Sequence, residues 1–187
     1  MSAPVLRTAR LRLRPFASAD VDVLYAQWTD PDVRRYLWDG RVIARDEVVA
    51  VVDESVATFE SRGCGFWVIE LGAPPVVIGF VAIRRPPDAS DLELYYGLAP
   101  RHWGHGYATE ASRAVLRYGF DVLGLHAIPI RTDGSNAASI AVMKRLGARY
   151  VRTDPTGAFG TTTVYVADTT AGETSGLADR PSAPPAR

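Results

Sequence analysis

A chain of 187 residues with 21 basic and 21 acidic side chains has no net formal charge, and 47% of it is hydrophobic. It can bury about 70% of its unfolded surface in one core, so neither disulfides nor a structural metal is needed, and the single Cys64 forbids an intrachain bridge. Balanced charge excludes the global basic field of a dedicated nucleic-acid binder, and no run approaches the roughly 18 apolar residues of a membrane helix. With no signal-peptide core at the N-terminus, a cytoplasmic protein is expected, in a reducing setting and without membrane or nucleic-acid partners.

From Arg10 to Arg14 arginines alternate with Leu11 and Leu13, the period of a strand with one buried and one wet face. Ser18 to Asp20 caps a helix through Val21, Leu24, Tyr25 and Trp28, which Asp30-Pro31 breaks. Residues 29–41 read as an irregular segment near a cleft or a packed loop. A second helix spans 46–61 and stops at Arg62-Gly63. Strands follow at 66–71, 76–84 and 92–98, with short Pro- and Gly-containing connections that imply antiparallel pairing.

From Gly106 the period becomes helical through Ala108, Ala111, Val115 and Val122, closing at Gly124. A strand at 127–131, a helix at 136–146 stopped by Gly147, and a strand at 161–166 complete the order. This succession predicts an α/β arrangement in which helices cover a mixed sheet. One domain over 5–167 is expected, and 168–187, poor in large apolar residues, reads as a disordered tail.

Between Glu93 and Glu110 a strand ends near Pro100, glycines follow at 104 and 106, and a helix begins at once. Residues 103 to 106 are Trp, Gly, His and Gly, which give the first-turn amides no side-chain acceptor. An unfilled helix start beside Arg101 and His105 suits an anion such as a pyrophosphate; a glycine turn facing water fits these residues too. No Gly-Lys-Ser/Thr follows, so this is not a P-loop, and Thr109 stands where a dinucleotide fingerprint needs its third glycine.

Leu98-x-Pro100-Arg101-x-x-Gly104-x-Gly106-Tyr107-Ala108 resembles the acyl-CoA signature of the GNAT family of N-acetyltransferases. Asn136-x-x-Ser139, followed by Leu146-Gly147, is similar to the family's second motif. With Glu93-Leu94-Tyr95-Tyr96 and Thr109-Glu110-Ala111, the chain is most similar to the branch that includes ribosomal-protein N-terminal acetyltransferases.

The resemblance implies a GNAT-like fold, a central mixed, mostly antiparallel sheet of six to seven strands flanked by four helices. A V-shaped opening between two parallel central strands would take acetyl-CoA. Leu98 backbone groups would hold the pantetheine, the amides of Trp103, Gly104, His105, Gly106, Tyr107 and Ala108 would wrap the diphosphate, and Arg101 would add charge. Asn136 would bind the pantetheine amide; a plain N-cap of its helix is the alternative reading.

Acetyl transfer needs a neutral amine, and amines titrate near 8 to 10.4, so a proton acceptor is required; Glu93 is the candidate, a solvated strand-edge carboxylate its alternative. An amide near Leu98 or Ala99 would polarise the thioester carbonyl. Many family members carry a tyrosine where this chain has Met143; a thioether cannot donate a proton, so Ser139 is the candidate catalytic group at the leaving thiolate, either donating directly or fixing a water. Ala148 replaces a usual aromatic. Trp28, Tyr36, Trp38 and Asp39 are candidates for the acceptor side or for core packing. His102 and His105 have no third ligand, so no metal is expected.

The expected activity is acetyl transfer from acetyl-CoA to a primary amine, a protein N-terminus or a small molecule, by direct attack in a ternary complex. A homodimer is compatible with this reading. The rivals are a non-catalytic acyl-CoA-binding module, suggested by the missing tyrosine, and an enzyme acting on another pyrophosphate ligand.

Overall fold

Leucine–arginine alternation builds the strand from which the first sheet is laid out. The computed structural model describes residues 4–86, 91–155, 157 and 160–169. A two-residue strand, β1 (Leu6–Arg7), pairs with β2 (Leu11–Pro15), whose Leu11 and Leu13 are buried. The arginine face is not simply wet, as the alternation suggested. Arg14 makes a bidentate pair with buried Asp20 at 2.6 and 2.7 Å and reaches buried Glu70 at 2.8 Å, and Arg12 also pairs with Glu70. Two carboxylates are thereby satisfied inside the sheet edge, as burial demands.

Helix α1 (Val21–Trp28) is followed by α2 (Pro31–Leu37), where an irregular segment was expected. Asp30-Pro31 is the start signal of α2. Asp30 accepts the Asp32 and Val33 amides at 2.9 and 3.4 Å, and Pro31 occupies the first helical position, where a missing N–H does no harm. Helix α3 (Arg45–Arg62) ends at Gly63 in a left-handed conformation.

Strands β3 (Phe66–Leu71), β4 (Val76–Arg84) and β5 (Glu93–Leu98) complete an antiparallel sheet in the order β1-β2-β3-β4-β5. Helix α4 (Tyr107–Asp121) then crosses to β6 (Ala127–Asp133), and α5 (Ala137–Arg145) leads to β7 (Arg149–Asp154) and β8 (Thr162–Asp168). The last three strands form a second antiparallel sheet, β6-β8-β7. The single central sheet is thus divided. Edge strands β5 and β6 lie side by side with no ladder between them among the described residues, joined by the helical crossover that returns a strand parallel to its predecessor.

Among the described residues five α-helices stand where four were expected, because residues 31–37 form α2, and eight strands stand where six to seven were expected. The unpredicted β7 is exposed over its first five residues, so it carries no hydrophobic period to read. Most of the expected tail lies outside the described residues; only Asp168 at the end of β8 and Thr169 fall within them.

Side chains alternate along β5 and separate two cores. Leu94, Tyr96 and Leu98 pack with Ala111 and Val115 of α4, whereas Tyr95 packs with Trp28, Phe66 and Phe80 beside α1 and α3. Glu93 shares the Tyr95 face by the same period.

Candidate active site

A cavity of about 1270 Å³ opens where β5 and β6 part, bounded by α2, α5 and the start of α4. It exceeds the roughly 300–1,000 Å³ of a single drug-sized site, so two substrates can meet in it.

The turn Pro100–His102 carries β5 into the glycine loop. Gly104 and Gly106 adopt φ of 78° and 79°, and a Cβ at Gly104 would meet nothing within 4 Å, so the backbone there faces open space. The Trp103 amide donates to Pro100 O at 3.0 Å, which removes it from the anion cradle expected over 103–108. Among the described residues no acceptor is found for the amides of Gly104, His105, Gly106, Tyr107 and Ala108, and α4 has no side-chain cap. These five unbonded N–H groups belong to residues that line the cavity, at a positive helix end.

Trp103 contributes through its ring: the indole N–H donates to Leu98 O at 2.8 Å. Ala99 N–H is bonded to Ile78 O at 2.9 Å and cannot polarise a thioester. That bond sets the ladder's phase. Gly79 and Leu98 become a non-hydrogen-bonded pair, so the Leu98 N–H turns away from β4 toward the gap. Of the two amides expected to polarise the carbonyl, only that of Leu98 is available.

Arg101 bonds its neighbour His102 at 3.1 Å and does not border the cavity. The guanidinium beside the loop is that of Arg10, at first read as part of a solvated strand face. It donates to His105 O at 3.1 Å, lies 4.5 Å over the Tyr107 ring and pairs with Glu110 at 2.6 Å. His105 stacks on Tyr107 at 5.6 Å, and its Nδ1 lies 2.7 Å from Trp103 O. Burial pushes the Glu110 carboxyl up, but hydrogen bonds from Thr8 and Arg10 outweigh it and hold the group below its ordinary range. Arg10 escaped sequence reading because its partners lie about 100 residues away.

Asn136 caps α5, its Oδ1 accepting the Ser139 amide at 3.1 Å. Ser139 Oγ stands 2.8 Å from the hydroxyl of Tyr96, which is also 3.1 Å from Ser139 O. Burial raises the Tyr96 phenol to about 12, against the opposing Ser139 hydrogen bond. Both side chains line the cavity; Met143 is fully buried in the core. Ala148 too is a core residue. Position 143 therefore places nothing in the cavity, and a phenol arrives instead from β5. Alternation along Glu93-Leu94-Tyr95-Tyr96 was the available signal.

Across the gap, Asp32 and Tyr36 of α2 line the cavity with Tyr95. Trp28 belongs to an aromatic core with Phe16, Phe80 and Trp38, and Asp39 sits in a turn at φ 53°, so of the aromatics and carboxylate expected on this side only Tyr36 lines the cavity. Glu93 is 2% exposed, which removes the solvated-edge alternative. Its Oε1 lies 2.8 Å from Arg131 Nε, and Tyr95 OH lies 3.5 Å from Oε2. Glu93 does not itself border the cavity, but Arg131 and Tyr95 do.

Residues 10–149 match the family described as acetyltransferase (GNAT) domain. The uncharacterized N-acetyltransferase p20 of Bacillus licheniformis is 32% identical over 147 residues, 75% of this chain and 80% of that protein. The crystal structure of an acetyltransferase from Agrobacterium tumefaciens str. C58 shares 29% identity with a TM-score of 0.79, over 90% of this chain and 96% of that one. The fold is also that of RimL, a ribosomal alpha-N-protein acetyltransferase in complex with coenzyme A, with a TM-score of 0.77 at 16% identity over 90% and 99% of the two chains. By its family match and its relatives, the chain belongs to the GNAT family and is an N-acetyltransferase.

Proposed function

We propose that the protein takes acetyl from acetyl-CoA and transfers it to a primary amine, a protein N-terminus or a small molecule, within a ternary complex. The row of unbonded amides from Gly104 to Ala108, opening into the cavity, carries this reading. They fit a diphosphate, and Arg10 beside them supplies charge. The Leu98 N–H would hold the pantetheine or the thioester oxygen, where a donor fixed in place favours developing negative charge. Asn136 Oδ1 is already engaged in capping, so its amide nitrogen is the group left for the pantetheine carbonyl.

The two faces of β5 divide the chemistry. The cofactor lies on the α4–α5 side, with Ser139 near the departing sulfur. The amine enters on the Tyr95 side, where Asp32 and the rings of Tyr36 and Tyr95 favour a cation. Glu93 takes the amine's proton through Tyr95 or a water. Attack is direct, because the chain's only thiol, Cys64, is fully buried and borders no part of the cavity.

Mixing the protein with acetyl-CoA and a panel of amines (polyamines, amino sugars, peptides with free N-termini) while following free thiol tests this. Thiol release that depends on one amine class is the expected result; binding of acetyl-CoA without release on any amine would overturn it. Gly104→Val should weaken acetyl-CoA binding about tenfold or more, because a branched Cβ blocks the backbone cradle. Gly124→Val is the control. Gly124 has a similar φ of 67° and equally open space but lies outside the cavity, so calorimetry should find its variant unimpaired in binding.

A further inference from the structure

Resting on that reading, we propose that Tyr96 is the hydrogen-bond donor to the sulfur of the departing coenzyme A, with Ser139 as its positioning residue. The two hydroxyls are 2.8 Å apart, on the wall of the cavity that continues from Leu98 toward α5. Side-chain alternation puts Tyr96 on the cofactor face of β5, with Leu98, and Tyr95 on the amine face. The phenolic O–H donates to Ser139 O at 3.1 Å and turns from that carbonyl to the sulfur when the cofactor is present, while the Ser139 hydroxyl, donating to the phenol oxygen, holds the phenol in place.

In the step itself, the amine lone pair forms the C–N bond and the C–S bond breaks with its electron pair moving to sulfur. The proton lost by the amine passes to the Glu93 carboxylate. Burial has raised the phenol to about 12, well above the roughly 8.5 of a thiol, so Tyr96 stays neutral and lends a hydrogen bond rather than surrendering its proton. Coenzyme A departs as the thiolate and is protonated by water as the pH dictates.

Tyr96→Phe keeps the ring and removes only the hydroxyl. It should lower kcat about 10²-fold while the KM for acetyl-CoA stays within about twofold, the signature of an interaction made only in the transition state. Ser139→Ala should lower kcat less, about tenfold, since the phenol remains but is no longer held. The thiol of bound coenzyme A, titrated through thiolate absorbance, should ionise at higher pH in Tyr96→Phe than in the wild type. An unchanged kcat, or a thiol titration that does not move, overturns the assignment to Tyr96. If the wild type releases no thiol with any amine, the acetyl-transfer reading fails instead; wild-type turnover matched by Tyr96→Phe removes Tyr96 alone.

Discussion

Glu93→Gln is expected to lower the rate of acetyl transfer by about 10²-fold or more while leaving acetyl-CoA binding intact, the scale on which a lost general base acts. The carboxylate is buried, and its Oε1 lies 2.8 Å from Arg131 Nε. Glutamine retains an oxygen for Arg131, and Arg131 is 38% exposed and can be solvated, so the fold should tolerate the change. Steady-state kinetics with a thermal melt separates the two effects. Full activity in Glu93→Gln alongside a large loss in Arg131→Gln would move the role from the carboxylate to the guanidinium.

Gly79→Ala should be the most damaging small substitution in the sheet, destabilising by about 3 kcal/mol or more in urea titration. A Cβ there would stand 2.2 Å from Gly97 O and 2.8 Å from Leu98 Cα, and no rotamer relieves a clash with backbone. The strain falls on the β4–β5 ladder where Leu98 turns its N–H to the gap, so acetyl-CoA affinity should drop with stability. Gly97→Ala is the comparison. Its Cβ meets the edge of the Phe80 ring at 2.6 Å, and a side chain can shift, so about 1–3 kcal/mol is expected. Equal losses in the two variants would refute the argument.

Local patterns were readable wherever one face of an element is buried. The helices α1, α3, α4 and α5 follow a period near 3.6, strands β3 and β4 read as short apolar runs buried on nearly every residue, and these elements with β5, β6 and β8 lie within three positions of the expected bounds. Helix α2 failed because Asp-Pro both breaks one helix and caps the next, and only the Asp30 hydrogen bonds show which. Strand β7 failed because neither of its faces enters the core.

The site divides along the same line. Glycines 104 and 106 with an uncapped helix start are local facts, and the expectation of an anion there rests on them alone. Which amides stay unbonded is decided by neighbours in space: Pro100 takes the Trp103 amide and Ile78 takes that of Ala99. Arg10 for Arg101, Tyr96 beside Ser139, and Asp32 rather than Asp39 are likewise choices of distance between elements far apart in the chain. Backbone conformation is governed by sterics within a few residues and is therefore written in order along the sequence. Hydrogen-bond partnership and the direction of a buried side chain depend on how sheets and helices pack, and only the folded chain settles them.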